Sequence, residues 1–387
     1  MIKIPAKIEY VIDTLTKNGH DAYIVGGCVR DSLMGKTPND FDITTSALPE
    51  TIMGLFEKTV PTGIKHGTVT VIVDKTPVEV TTFRNESGYG DSRHPDNVNF
   101  VTDIKEDLSR RDFTVNAIAY NRRDGIVDYF GGSNDIKNKI LRAVGNPEER
   151  FFEDALRILR LMRFSSTLNF DCEENTLNAA IKCSPNLTKI SSERIFAELY
   201  KAVSGENFEI FEHLIKCGAL EFLKIHKTPD FEKIKKAKTS DLAFFLFLYF
   251  SSLNVKETLN ILKVSNKLKN YCTALEEMLE LKIPQSKVEL KYLLCKYETR
   301  CIKDYFKLKN ILENYNTQHL ISMLGEIINN NEPYFISHLA LDGEALKEMG
   351  ISGKKLGNTL RYLQKTVIEN PQKNKREILI KEIQKTP

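Results

Sequence analysis

The chain has 387 residues, 28% of them charged and 41% hydrophobic, with 55 Lys+Arg against 52 Asp+Glu. That composition is too apolar for a disordered chain, and the length exceeds what one hydrophobic core usually serves, so two or more domains are expected. A formal net charge of +3 excludes a uniformly polybasic nucleic-acid binder; any such partner must be held by locally clustered charge. The seven cysteines are scattered and form no CxxC pair, the pattern of reduced thiols rather than of a disulfide framework or zinc site. The longest apolar run, residues 242–250, is far below the roughly 20 residues a membrane span requires. With no signal-peptide core in MIKIPAKIEY, a cytoplasmic protein without membrane association is expected.

In chain order, residues 8–17 have the periodicity of an amphipathic helix, and residues 22–25 read as a short apolar strand ended by Gly26-Gly27. A second strand is predicted at 41–44, and residues 68–73 and 78–83 read as a β-hairpin turning at 74–77. The polar, Gly-, Asp- and Asn-rich stretch 85–99 reads as a surface loop. A helix around 113–119 and a last strand around 126–129 complete this part. Beyond Pro147 the pattern is almost purely helical (153–165, 173–183, 192–204, 208–217 and onward), with subdomain joints predicted near 224–238 and 282–287. Residues 351–387 carry nine basic side chains against three acidic. An isolated charge run of this kind is ordinarily a solvated helical face.

Three clusters carry chemistry. In the first, Gly26-Gly27-Cys28-Val29-Arg30-Asp31 follows a strand end; the glycines let backbone amides approach a phosphate, and Arg30 adds a cationic fork. Asp40 and Asp42, two apart, fall on one side of a strand and offer hard oxygen ligands for Mg²⁺. Glu79 on the hairpin is a candidate third carboxylate. The second cluster is Arg110-Arg111-Asp112-Phe113-Thr114-Val115-Asn116-Ala117, in which Arg111 suits a triphosphate and Asp112 can accept from a ribose 2′-hydroxyl. In the third, Asp154, Arg157, Arg160 and Arg163 recur every third position, which on one helix gives a shared polar face opposite Leu156, Leu159 and Met162.

Each cluster alone has a structural explanation: a turn, a strand edge, a helix cap, an amphipathic surface. Their order along the chain is more specific. GGCVRDSLMGKTPNDFDITTSALPE, RRDFTVNA and EDALRILRLMRF resemble the successive motifs of the class II CCA-adding tRNA nucleotidyltransferases and the related bacterial poly(A) polymerases. Asp128 with Gly131-Gly132 resembles a third, connecting motif, and ISSERIFAEL resembles the fifth, for which a helix cap at Ser191 or Ser192 is the simplest account. The C-terminal HLALDGEALKEMGISGKKLGNTLRYL is similar to the tail of the short Gram-positive type.

The resemblance implies an α+β fold: a polymerase-β-like head with a mixed sheet (1–145), followed by an all-α neck that selects nucleotides (146–205), a body (206–285) and a tRNA-binding tail (286–387). It implies Mg²⁺ on Asp40 and Asp42 with Glu79 in support. Nucleotide contacts fall to Gly26, Gly27, Arg30, Arg111, Asp112, Asn116, Asp154, Arg157, Arg160 and Arg163. The substrates implied are CTP, ATP and the 3′ end of tRNA, with CMP, CMP and AMP added in turn. In that reading Asp154 and Arg157 act as a protein template. Cytosine and adenine both place an exocyclic amino donor beside a ring-nitrogen acceptor, whereas uracil and guanine place a carbonyl beside a ring N–H. A poly(A) polymerase, a partial CC- or A-adding enzyme, and a non-catalytic RNA-binding protein on the same fold are the alternatives. Retention of the 85–99 loop favours terminal A addition, since CC-only relatives lose part of it. The oligomeric state, a homodimer included, stays open.

Overall fold

The computed structural model describes residues 2–87, 97–252 and 254–384. The chain divides into two compact units, Met1–Val264 and Ser265–Pro387.

In the first unit, helix α1 (Ala6–Lys17) buries Ile8, Val11, Ile12 and Leu15 along one face, the 3.6-residue periodicity that the sequence carries. Strand β1 (Ala22–Val25) is buried throughout and runs into α2 (Gly27–Leu33). After β2 (Asp42–Thr45) and α3 (Pro49–Leu55) come β3 (Thr59–Gly63), β4 (Thr68–Val73) and β5 (Thr76–Thr82). The short strands β8 (Ala119–Asn121) and β9 (Gly125–Val127) complete a seven-stranded sheet ordered β3-β4-β5-β2-β1-β8-β9. Its pairs are antiparallel except β2 with β5, whose connection crosses over through α3, β3 and β4. The central strand β1 therefore lies between β2, which carries Asp42, and β8.

The β4–β5 hairpin forms as expected, turning through Asp74 and Lys75, both at positive φ (45° and 65°), as the tightest hairpin turns require. The predicted loop is bordered by paired strands, β6 (Arg84–Ser87) and β7 (Asn97–Phe100); its central part, 88–96, lies outside the described residues. The predicted helix at 113–119 is not one. Thr114–Asn116 form a single 3₁₀ turn and Ala119 opens β8. The run is buried on every side, polar Thr114 and Asn116 included, and a segment with no exposed face does not distinguish helix from strand by periodicity.

Helix α4 (Ile104–Ser109) packs Ile104 and Leu108 in one cluster with Tyr23 and Val25 of β1, and α5 (Gly132–Asn138) packs on α2 and on residues 114–116. Asp128 caps α5, its carboxylate accepting from the N–H groups of Gly132 and Ser133, a structural role for the connecting motif. A Cβ on Gly132 would lie 2.1 Å from the Thr114 carbonyl oxygen, so only glycine allows this close approach. Beyond α5 the chain is helical. The predicted helix 153–165 is two helices, α6 (Pro147–Glu153) and α7 (Leu156–Leu168), broken at Asp154-Ala155. Helices α8 (Glu174–Cys183) and α9 (Ser192–Ala202) follow, and α9 packs on α7. Ser191 holds the cap position of α9 but its side chain makes no cap hydrogen bond. Among the described residues no helix is long and apolar enough to cross a membrane; the apolar run at 242–250 lies in the helix Ser240–Ser251, which buries residues 242–248 and leaves Tyr249 exposed.

The second unit is helical. Its long helix Gly353–Glu369 buries Leu363 and Val367 against Leu339, Leu346 and Leu379 and leaves Lys354, Lys355, Arg361 and Lys365 exposed. Lys385 lies outside the described residues. Residues 282–287, predicted as a joint, connect two helices inside this unit; the division between units falls at 264/265.

Candidate active site

The end of β1 positions the first side chains. Gly26 has φ 78°, and a Cβ there would meet Arg111 Nη1 at 3.0 Å. Glycine is thus required both by the backbone conformation and by an arginine packed against it. The turn delivers Arg30 from α2 into a cavity of about 490 Å³ lined by Gly26, Gly27, Asp42, Arg111 and Asp112 from the sheet side and by Asp154, Arg157, Arg160, Arg163 and Phe164 from α7 and the break before it. Arg110, Asn116 and Arg194 also line it. The three sequence clusters meet in this one space.

Its charge is ordered by buried acids. Asp107, fully buried, accepts from Arg110 at 2.8 Å and Arg111 at 3.3 Å. Burial works against its ionisation, but the two guanidinium charges outweigh it and hold the carboxyl below its ordinary value. Asp112 accepts from Arg160 Nε at 2.7 Å, from Asn116 Nδ2 at 3.1 Å and from the Phe113 N–H, and pairs with the Arg160 guanidinium, whose Nη2 lies 2.6 Å away. Burial opposes its charge too; Arg160 and these hydrogen bonds prevail, and the carboxyl sits at about 2. Asp112 is therefore an anchor for Arg160 and Asn116 as well as a candidate ribose contact. Arg30 is likewise engaged, with Asp31 at 2.7 Å and Asn116 Oδ1 at 2.6 Å. Phe164 gathers three guanidinium groups over its ring, those of Arg163 (4.0 Å), Arg30 (5.2 Å) and Arg160 (5.3 Å), a cation–π arrangement that stiffens the basic wall.

At the α6–α7 break Asp154 is extended, not helical. Its Oδ1 accepts from the Leu156 N–H at 3.0 Å, capping α7, and its Oδ2 accepts from Arg194 Nη2 at 2.8 Å. The expected single face shared by Asp154 and the arginines is thus built from a cap residue and a following helix. Arg157 donates to Glu153 at 2.7 Å and to the carbonyls of Arg150 and Arg110, both at 3.0 Å. Arg163 pairs with Glu198.

Asp42 opens β2 and is open to the cavity, whereas Asp40 lies in the irregular segment before the strand, so strand alternation alone does not place the two carboxylates together. They are near enough to interact: surrounding protein atoms raise the Asp42 carboxyl above its ordinary value, Arg111 opposes this, and Asp40 adds to it. Neither aspartate side chain forms an ion pair among the described residues. Two hard oxygen donors without a cation, one raised partly by the other, fit a divalent ion such as Mg²⁺. Glu79 shares with Asp42 a recess of about 160 Å³, together with Arg110 and Arg111. Among the described residues no three His, Cys, Asp or Glu side chains gather as a metal cage, so Glu79 borders the acidic pair rather than completing a three-carboxylate cluster.

The sequence reading missed Asp107, Arg110, Phe164 and Arg194. Asp107 with Arg110 and Arg111 has i,i+3 and i,i+4 spacing, which is a legible signal; Arg194 is 40 residues from Asp154, and its only signal was its place in ISSERIFAEL.

Comparison with known proteins agrees with this geometry. The poly(A) polymerase head-domain family matches residues 22–142, the RNA- and SrmB-binding segment of polymerase A matches 169–232, and tRNA nucleotidyltransferase domain 2 matches 235–383. The CCA-adding enzyme of Staphylococcus aureus (strain MRSA252) is 39% identical over 310 residues, spanning 80% of this chain and 78% of that one. That of Staphylococcus haemolyticus (strain JCSC1435) is 35% identical over 385 residues, spanning 96% and 95%. Among solved structures, the Bacillus stearothermophilus CCA-adding enzyme in complex with CTP superposes with a TM-score of 0.82 at 30% identity, covering 98% of this chain and 97% of that one. The Thermotoga maritima CCA-adding enzyme complexed with tRNA shares the fold, at 22% identity and a TM-score of 0.68 over 99% and 97% of the two chains. With its three sequence clusters converging on one cavity and relatives of this identity along nearly its whole length, the chain belongs to the CCA-adding enzyme family of nucleotidyltransferases.

Proposed function

We propose that this protein adds CMP, CMP and AMP in turn to the 3′ end of tRNA, taking them from CTP and ATP and releasing pyrophosphate. The observation that carries the reading is that one cavity joins Asp42 on the head sheet to Asp154 and Arg157 in the neck, so a nucleotide can present its phosphates at one end and its base at the other. The 3′-hydroxyl oxygen of tRNA attacks and bonds the α-phosphorus, the bond from that phosphorus to the bridging oxygen of the leaving pyrophosphate breaks, and the hydroxyl proton passes to solvent water.

Asp40 and Asp42 would hold Mg²⁺, with Glu79 beside them. When bound, the ion lowers the pKa of the attacking hydroxyl and neutralises developing phosphoryl charge. The chain's own groups do the positioning. Gly26 and Gly27 leave room for the phosphates, while Arg30 and Arg111 face them with fixed positive charge, held by Asn116 and Asp107. Asp112 and Asn116 border the ribose; Arg160 and Arg163 complete the wall. Asp154 accepts from the exocyclic amino group of cytosine or adenine, and Arg157 supplies the donor for the ring nitrogen. A uracil or guanine would set carbonyl against carboxylate, leaving buried polar groups unpaired, a penalty that discriminates better than shape. The exposed lysines and arginine of the helix Gly353–Glu369 suit the tRNA backbone, and the neck, body and tail divisions at 146–205, 206–285 and 286–387 remain part of this proposal.

The reading is tested with a tRNA transcript ending just before its CCA. CTP alone is expected to add two residues, and ATP is expected to add one, only after both. A long A tract would identify a poly(A) polymerase, and no addition with Mg²⁺ present would leave a binding protein.

A further inference from the structure

The fifth sequence motif has a part in the cavity that a helix cap does not explain. Arg194, in the first turn of α9, reaches the neck break and donates from Nη2 to Asp154 Oδ2 at 2.8 Å. Its other arm, Nη1, is buried and has no hydrogen-bond partner among the described residues, although Arg194 lines the cavity. A buried cationic N–H without an acceptor is costly, and such groups persist where a bound state uses them. In the neighbouring Arg157, by contrast, Nη1 and Nη2 both have acceptors, in Glu153 and two backbone carbonyls, and Nε and the second Nη2 hydrogen are left for a ligand.

We infer that Arg194 is a positioning residue for nucleotide choice: it fixes the Asp154 carboxylate so that this group accepts from an amino group and repels a carbonyl. The inference rests on the base-reading role proposed above for Asp154. Oδ1 is tied to the cap of α7 and Oδ2 to Arg194, which leaves the carboxylate one orientation. Without Arg194 only the cap bond remains. The carboxylate can then turn from an approaching uracil carbonyl, and the penalty against UTP is lost along with part of the gain for CTP.

The test is the ratio of kcat/KM for CTP to that for UTP, in the full chain with a tRNA transcript ending before its CCA, for wild type, Arg194→Gln, Asp154→Ala and the double variant. Arg194→Gln is expected to lower the ratio by about tenfold, the range for one charge-assisted hydrogen bond, chiefly through a higher KM for CTP. The double variant is expected to be no less selective than Asp154→Ala alone, because the two groups act as a unit. An unchanged ratio in Arg194→Gln, or losses that simply add, would overturn the inference. Arg194→Lys restores the charge without the planar fork and is expected to lower the ratio by about threefold; it decides the matter if Arg194→Gln does not fold, a wild-type ratio then counting against the inference. Selectivity retained in Asp154→Ala would instead overturn the base-reading role itself.

Discussion

Arg160 and Asp112 bind one another at a single carboxylate oxygen, through a hydrogen bond from Nε at 2.7 Å and an ion pair that brings Nη2 to 2.6 Å. The pair ties the neck helix α7 to the segment leading into β8, across 48 residues of sequence, at the wall of the cavity. Removing Arg160 leaves Asp112 buried without its counter-charge. Arg160→Leu is therefore expected to destabilise the protein by about 2 kcal/mol, a value discounted because the arginine is partly solvated. Urea unfolding measures it, and a variant as stable as wild type would contradict the anchoring role.

The same pair sets a pH dependence. Asp112 sits at about 2 in the folded protein, below the value of about 3.9 for an aspartate in an unfolded chain. Its contribution to stability is therefore present above pH ~4 and is lost as pH falls toward 2. Asp112→Asn is expected to flatten the stability profile in that window, as read by unfolding at a series of pH values.

The raised carboxyl of Asp42 works in the other direction. Protons and a divalent cation compete for it, so the acid limb of kcat/KM is expected above the ordinary aspartate range and should move to lower pH as Mg²⁺ is increased. Asp42→Asn is expected to reduce incorporation by at least about a thousandfold while leaving tRNA affinity within about twofold, and chelation should silence the wild type. Activity in Asp42→Asn with Mg²⁺ present would contradict the metal assignment.

Arg157 is buried with its donors divided between Glu153 and the carbonyls of Arg150 and Arg110. Arg157→Ala is expected to blur nucleotide choice, raising UTP and GTP incorporation relative to CTP by about tenfold or more, and also to lower thermal stability, since two carbonyls lose their donor. Steady-state kinetics with each nucleotide, alongside melting, separates the two effects; unchanged fidelity would count against the protein-template reading.

Much of this arrangement was legible in local sequence. The strand before Gly26-Gly27 and the β4–β5 hairpin announce themselves by apolar patterning and turn placement, and Asp40-Phe41-Asp42, RRDFTVNA and EDALRILRLMRF mark the site. What escaped is what tertiary structure decides. Residues 113–119 are buried on every side, Thr114 and Asn116 included, so no exposed face marked the 3₁₀ turn and the strand. The break at Asp154 has neither Pro nor Gly, and its only signal was an aspartate able to cap a helix. The bonds of Asp112 to Arg160 and of Asp154 to Arg194 join residues 48 and 40 apart, a separation that no local pattern encodes.

The most direct test of the account is to sequence the 3′ ends produced by the full-length protein from a tRNA lacking its CCA, with all four nucleotides at equal concentration and Mg²⁺ present. Ends that read CCA and stop are predicted. Ends carrying uridine or guanosine, runs of adenosine, or unextended tRNA would contradict it.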